Sequence, residues 1–153
     1  MADGAIYAGV FVGTPSHVRP WAIAAFRATT GKRLWRTGIG RSRYLTFASP
    51  AVAAGRVVFP STAGSLVALD ARTGRTDWSV PLEITDSAPA IANGVVYVGS
   101  SDDSLHAFAA QTGKELWRAA TGDDVNSSPT VVEGTVLVGS DDGIVRAFRL
   151  PES

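Results

Sequence analysis

The sequence predicts an all-β fold, a β-propeller of four-stranded antiparallel blades with about four repeats, or half of an eight-bladed ring. First, landmarks recur at steps near forty residues, since Trp35, Trp78 and Trp117 stand 43 and 39 residues apart. Second, apolar residues occur in short runs, and helical periodicity is absent. A fixed period of this length is typical of stacked supersecondary units that cannot bury an apolar face without a neighbour. We therefore expect blades stacked side by side.

The third repeat shows the elements of one blade most clearly. A short inner segment, SAPAIANG, ends at Asn93-Gly94, a pair that favours the positive φ of a tight hairpin. The run VVYVGS is rich in β-branched residues and predicts a strand, and LHAFAA alternates with period two, as a half-buried strand should. After a turn at 111–113, KELWRAA supplies the last strand. These segments predict four antiparallel strands.

The other repeats follow the same plan within a single domain, residues 1–153. The predicted blades cover residues 1–40, 46–83, 87–122 and 126–150. In the second, Ala54-Gly55 and Ala63-Gly64 are the predicted turns. The first contains the insertion GTPSHVRP in its second turn and lacks its innermost strand, and the last has three strands.

Composition limits the class of protein without naming its role. The chain of 153 residues is long enough to bury a core, and no apolar run approaches the eighteen residues of a membrane span. The absence of cysteine excludes disulfides and thiolate metal sites. The N-terminus lacks a basic start and a cleavage site, so it is a poor signal peptide. The compartment stays open: periplasmic or extracellular within a longer exported chain, and cytoplasmic otherwise.

Charge is divided unequally along the chain. Between Gly4 and Leu69 there are eight basic residues and no acidic one, which gives this part a net charge of +8. From Asp70 onward, six basic residues oppose thirteen acidic ones, a net charge of −7. Such a division predicts a charged partner or a pairing of opposite ends.

One repeat contains a complete sequence motif. Residues 68–78 read A-x-D-x-x-T-G-x-x-x-W, with the defining positions Ala68, Asp70, Thr73, Gly74 and Trp78. This resembles the tryptophan-docking motif of the pyrroloquinoline-quinone-like repeat family. Two other copies keep the ending as Thr30, Gly31, Trp35 and as Thr112, Gly113, Trp117, with Arg27 and Ala109 in place of the aspartate. We expect the glycine to supply a left-handed turn, the threonine and aspartate to bond its amides, and the tryptophan to pack between blades.

The resemblance implies a structural role for these residues, in rings that usually have seven or eight blades. The family includes quinoprotein alcohol dehydrogenases, which hold their quinone cofactor and a calcium ion with residues that include two adjacent cysteines. This chain has no cysteine, and no residue matches the remaining ligands, so we assign no catalytic, cofactor-binding or metal-binding residue. Similar repeats occur in the outer-membrane assembly lipoprotein and in bacterial serine/threonine kinases.

The sequence therefore predicts a protein that is not an enzyme and needs no cofactor. We expect a propeller module for protein interaction or ligand sensing, either part of a larger propeller or a ring completed by self-association as a head-to-tail dimer. The alternative is a fragment of a pyrroloquinoline-quinone-dependent dehydrogenase.

Other polar residues are candidates for metal-binding or contact sites. The pairs Asp102-Asp103, Asp123-Asp124 and Asp141-Asp142 could hold calcium, but their recurrence at equivalent blade positions favours turns. His106 aligns with Arg146 of the next repeat, which predicts a partly exposed strand residue, and His17 in the insertion predicts a contact loop.

The sequence gives little support for a catalytic triad or a nucleic-acid-binding site. Ser127 and Ser128 have no histidine or aspartate at a triad spacing. The segment Arg41-Ser42-Arg43-Tyr44 mixes cations with an aromatic ring, but the acidic second half and a pI near 6.7 argue against a nucleic-acid partner.

Overall fold

The computed structural model describes residues 4–11, 19–42, 48–83 and 85–149, where all regular structure is β-strand. His17 and residues 43–47 lie outside these ranges, as does the insertion up to residue 18. In the described part, no helix has the length and apolar character needed to cross a membrane. The strands are β1 Ala5–Phe11, β2 Arg19–Arg27, β3 Arg33–Ser42, β4 Ala51–Ala53, β5 Arg56–Ser61, β6 Ser65–Asp70, β7 Thr76–Pro81, β8 Ala90–Ala92, β9 Val95–Ser100, β10 Ser104–Ala109, β11 Glu115–Ala120, β12 Thr130–Val132, β13 Thr135–Gly139 and β14 Val145–Arg149.

Each repeat forms its own antiparallel sheet, with strands in chain order from the inside outwards. We number these sheets as blades 1 to 4: β1–β3, β4–β7, β8–β11 and β12–β14. Blades 2 and 3 have four strands, and blades 1 and 4 have three over the described residues. The short strand β8 lies close to both β4 and β12, so these three innermost strands are neighbours. The predicted all-β fold of antiparallel blades is confirmed.

The first hairpin of blades 2, 3 and 4 depends on backbone geometry that the sequence encodes. Asn93 and Gly94 both have positive φ, 49° and 76°, and join β8 to β9 with Ala92 opposite Val95. In blade 2, Ala54 has a φ of 48° at the same position and also precedes a glycine. Two successive positive φ values give a turn whose twist matches that of the flanking strands.

The middle strands are buried on both faces. In β5 and β9, every residue after the first is buried. In β10, every residue before the last is buried, with His106 and Phe108 on one face and Leu105 and Ala107 on the other. The prediction of a half-buried strand here was wrong, because a middle strand has a neighbouring blade against each face.

Three apolar clusters hold the four blades together. The first joins blades 1 and 2 around Ile23, Phe59 and Leu69. The second joins blades 2 and 3 through Trp78, Leu82 and neighbouring residues. The third joins blades 3 and 4 through a set that includes Tyr97, Leu105, Val125, Val136 and Val138. The contacts between blades therefore stabilise the fold, as is typical of repeat proteins.

Candidate functional site

Each motif tryptophan that forms an indole hydrogen bond contacts the blade that follows its own. The Nε1 of Trp35 in blade 1 donates to the carbonyl oxygen of Ala71 in blade 2 at 2.9 Å. The Nε1 of Trp78 in blade 2 donates to the carbonyl oxygen of Ala110 in blade 3 at 3.0 Å. A motif therefore acts across two repeats, with the ring from one and the turn from the next.

The motif glycines lie against these rings. A Cβ atom at Gly74 would lie 2.6 Å from the ring of Trp35, and one at Gly113 would lie 2.8 Å from the ring of Trp78. Both glycines also have positive φ, 73° and 71°. A side chain at either position would meet a steric clash and an unfavourable backbone conformation. Gly31 shares the positive φ but has open space around it.

The complete motif of blade 2 has an additional hydrogen-bonded turn. The Asp70 carboxylate accepts hydrogen bonds from the Thr73 hydroxyl at 2.6 Å and the Thr73 amide at 2.7 Å. These bonds hold the pKa of Asp70 below its usual value. In the other two copies, Thr30 and Thr112 remain but the carboxylate is absent. Trp117 instead contacts the rings of Tyr97 and Phe148, with centroids 6.1 Å away and ring planes tilted by 48° and 41°.

The acidic turns have two different environments. Carboxylate oxygens of Asp103, Asp123 and Asp124 lie within 4.8 Å of one another. Burial and the nearby carboxylates raise the pKa of Asp124. By contrast, Asp142 accepts hydrogen bonds from Arg146 and from the Ser140 hydroxyl, which hold its pKa well below the usual range.

His106 is buried rather than partly exposed, with only 6% of its surface accessible. Its Nδ1 lies 2.8 Å from Glu115 Oε1, and its Nε2 lies 3.0 Å from each oxygen of Asp102. The ring stacks parallel to Phe108, with centroids 5.7 Å apart. The prediction failed because alignment with Arg146 shows the position in the blade but not the packing of blade 3 against blade 2.

The innermost strands offer little to a quinone cofactor. Their sequences, AVA, AIA and TVV, contain no charged side chain. A calcium ion needs several oxygen ligands, and the carboxylates of a quinone need cationic partners. The residues of these strands therefore do not fit the group. The Ser127 hydroxyl donates a hydrogen bond to the Gly139 carbonyl oxygen and accepts one from the Gly139 amide.

Apolar side chains are exposed on the outward side of blade 4, which we call the blade 4 face. Val132 is 50% exposed, Leu137 37% and Val145 75%. At the other end of the stack, Ile6 of blade 1 is 47% exposed. These residues lie on strands whose counterparts in blades 2 and 3 are covered.

Comparisons with known proteins agree on the architecture. Residues 82–150 match a family model described as outer membrane protein assembly factor BamB. BamB from Moraxella catarrhalis has a similar structure, with a TM-score of 0.75, 22% sequence identity, and coverage of 87% of this chain and 46% of that one. The chain therefore has a β-propeller fold.

Two other solved propellers resemble the chain. The quinohemoprotein alcohol dehydrogenase ADHIIG from Pseudomonas putida HK5 has a TM-score of 0.68 and 18% identity, with 94% of this chain and 31% of that one covered. The computationally designed Ika4 protein has a TM-score of 0.68 and 19% identity, with 90% and 88% covered. No curated protein matches the sequence. At these identities, the similarities establish the propeller fold, and the chain spans less than half of the two natural proteins.

The sequence left two groups of residues in this propeller unidentified. One is the cluster of Asp102, His106 and Glu115, whose members come from a turn and two strands. A signal existed, because Asp102 and His106 align with the ion pair of Asp142 and Arg146 one repeat later. The other is the exposed blade 4 face, which alternation alone cannot distinguish from a covered face.

Proposed function

We propose that the chain is a non-catalytic propeller module for protein interaction, and that two copies join head to tail into a ring of eight blades. In this arrangement, the blade 4 face of each copy packs on blade 1 of the other. Supporting this proposal is the match between exposed residues of the end blades and buried residues of the inner ones.

Equivalent positions in successive blades carry this argument. Leu137 and Val145 in blade 4 occupy the positions of Tyr97 and Leu105 in blade 3, which are 1% and 0% exposed because blade 4 covers them. In blade 4 the same positions are 37% and 75% exposed. The exposed face of blade 4 has apolar residues at the positions that a neighbouring blade covers in blade 3. Such a face is suited to contact another blade.

Blade 1 offers the opposite side of the contact. Ile6 occupies the position of Val57, Val96 and Val136, each of which is fully buried against the preceding blade. Ile6 itself is 47% exposed. The two end blades therefore present the two different halves of one kind of interface, which is the requirement for a head-to-tail contact.

The charges near these ends are of opposite sign. Blade 1 has exposed basic side chains at Arg27, Lys32, Arg33 and Arg36. Blade 4 has exposed acidic side chains, including Glu133 and Asp141. Opposite charges steer association and are screened by salt, so the proposed contact should weaken as ionic strength rises.

The test is the solution mass, measured by light scattering coupled to size exclusion at low and high salt. We expect a particle of twice 15.9 kDa at low salt that dissociates in part at high salt. The variant Val145→Asp should be monomeric, because it places a carboxylate on the blade 4 face. Leu116→Asp, which changes a 49% exposed residue on the outer strand of blade 3, should remain dimeric.

Two results would contradict self-association through these faces. One is a wild-type protein that is monomeric at both salt concentrations. The other is a dimer that Val145→Asp leaves unchanged, because the copies would then meet through another surface. Either result would favour the alternative role for the face, packing against further blades of a larger propeller.

The absence of catalysis is a separate part of the proposal. Supporting it are the uncharged innermost strands and the absence of cysteine. Incubation with pyrroloquinoline quinone and calcium, followed by removal of free cofactor, should leave no bound cofactor absorbance. Stoichiometric absorbance retained with the protein would instead support the dehydrogenase fragment.

A further inference from the structure

A cleft of about 620 Å³ separates blades 2 and 3 beside the buried His106. Blade 2 supplies one wall from its β5–β6 turn, residues 62–64, and from Pro81, Leu82 and Glu83 after β7. Blade 3 supplies the other wall: Asp102, His106, Phe108, Glu115 and Arg118. The volume falls within the range of small-molecule sites. All these residues belong to one copy, so the cleft does not depend on ring closure.

The cleft has a buried polar group that the protein leaves unsatisfied. Thr62 is 5% exposed, and its hydroxyl has no hydrogen-bond partner among the described residues. A buried hydroxyl without a partner is costly, so such a group is rare in a folded protein. Its place in the wall of a cleft points to a partner supplied by a ligand.

His106 fixes the positions of two carboxylates in the cleft. Its two ring nitrogens face opposite ways, towards Glu115 at 2.8 Å and Asp102 at 3.0 Å. When the imidazole is protonated, both nitrogens donate hydrogen bonds, which holds these carboxylates in place across blade 3. The ring is itself held by its parallel stacking on Phe108.

The charges around the cleft favour a cation. Its charged lining consists of Glu83, Asp102 and Glu115 against Arg118 and His106, so the acidic groups outnumber the basic ones even when His106 is protonated. Arg118 lies 3.6 Å from Asp102 and is 59% exposed, so its charge is directed at one of the three carboxylates. Glu83 and the Glu115 oxygen that does not face His106 remain available to a positive group. Pro81 and Leu82 form an apolar surface beside them.

We propose that this cleft binds an organic cation, an amine or a guanidinium carried on a short apolar stem. The charged group would contact Glu83 and Glu115, the stem would pack on Leu82, and a polar atom of the ligand would bond the Thr62 hydroxyl. The cation can come from a free small molecule or from an exposed side chain of a polypeptide. Both sources offer the same chemistry.

The test is a titration followed by NMR of backbone amides, with n-butylguanidinium as the free cation and N-acetyl-arginine amide as the polypeptide mimic. Saturable shifts at residues 62–64, Leu82 and His106 with either probe are the expected result. Tighter binding of one probe identifies the source. Butyrate, an anion with a comparable stem, should produce no saturable shift at these positions.

Variants separate a built site from general attraction to an acidic surface. Glu83→Gln and Glu115→Gln should each weaken binding of the cationic probe about fivefold, since each removes one charge close to it. Asp123→Asn removes the same charge from an exposed position outside the cleft and should leave binding within about twofold. Thr62→Val should weaken binding without lowering the melting temperature, because it removes the unsatisfied hydroxyl.

Three results would overturn the proposal. They are the absence of saturable shifts with both cations, equal binding of butyrate, and equal weakening by Asp123→Asn and Glu83→Gln. The last would show that the cation senses the overall charge of blades 3 and 4 rather than this cleft.

Discussion

At the scale of single residues, Gly74 is subject to two constraints that can be measured separately. We expect Gly74→Ala to destabilise the protein by about 1–3 kcal/mol more than Gly55→Ala. Both positions have nearly the same φ, 73° and 74°, so the backbone cost is shared. Only at Gly74 would the new Cβ meet the ring of Trp35, whereas the space around Gly55 is open. Urea unfolding of the two variants provides the comparison.

The pair forms its own control, because a methyl group is added in both cases. Equal losses of stability would show that the Trp35 ring can move aside at no cost. In that event, the glycine of the motif would serve the turn alone.

Asp142 makes stability depend on pH. Hydrogen bonds from Arg146 and Ser140 lower its pKa in the folded protein, whereas in the unfolded chain the pKa is near 3.9. As the pH falls below about 5, the unfolded chain takes up this proton first, so the stabilisation is present at neutral pH and lost on acidification. We expect Asp142→Asn to be less stable than wild type at pH 7, with a smaller difference at pH 3.

Urea unfolding at both pH values measures this effect. Glu133→Gln is the control, since Glu133 is exposed and has no ion pair among the described residues. Its difference from wild type should change little between the two pH values. A difference for Asp142→Asn that stays constant from pH 7 to pH 3 would contradict the assigned role of Arg146.

At the scale of elements, the tryptophans join one blade to the next. Trp78→Ala should cost about 3–5 kcal/mol, because it leaves a cavity beside Gly113 and removes the indole hydrogen bond to Ala110. Trp117→Ala should also be severely destabilising, since its ring packs between Tyr97 and Phe148. Thermal unfolding of both variants tests these expectations.

Leu116→Ala is a control in the same strand as Trp117, because Leu116 is 49% exposed and its truncation should have a small effect. A melting temperature within about 3 °C of wild type for either tryptophan variant would show that the ring does not anchor its blade.

The elements of blade 3 show what the sequence can predict and where its information ends. The run VVYVGS coincides with β9, and the Asn93-Gly94 turn has the expected positive φ, because both depend on local chemistry. The burial of His106 depends instead on Glu115, nine residues later across a hairpin, and on the packing of blade 3 against blade 2 around Phe108. The repeat spacing reveals the tryptophans that join the blades, but it does not show how far a polar residue such as His106 is buried.

At the scale of the whole molecule, ring closure by two copies would couple stability to concentration. If the dimer forms, the melting temperature at low salt should rise as protein concentration increases, because association stabilises the folded state by mass action. Val145→Asp should remove this dependence, and Leu116→Asp should preserve it. Differential scanning calorimetry over a hundredfold range of concentration measures the effect. A wild-type melting temperature independent of concentration would argue against the dimer.

The direction of the tryptophan contacts also has a consequence for synthesis. The indole of Trp35 bonds a carbonyl 36 residues later in the chain. At rates of about 5–20 residues per second, a ribosome needs roughly 2–7 s to make that partner. During each such interval, the tryptophan of the newest blade lacks the carbonyl acceptor that the next repeat supplies. We therefore expect assembly during synthesis to proceed from the N-terminus in steps, each completed when the next repeat has been made.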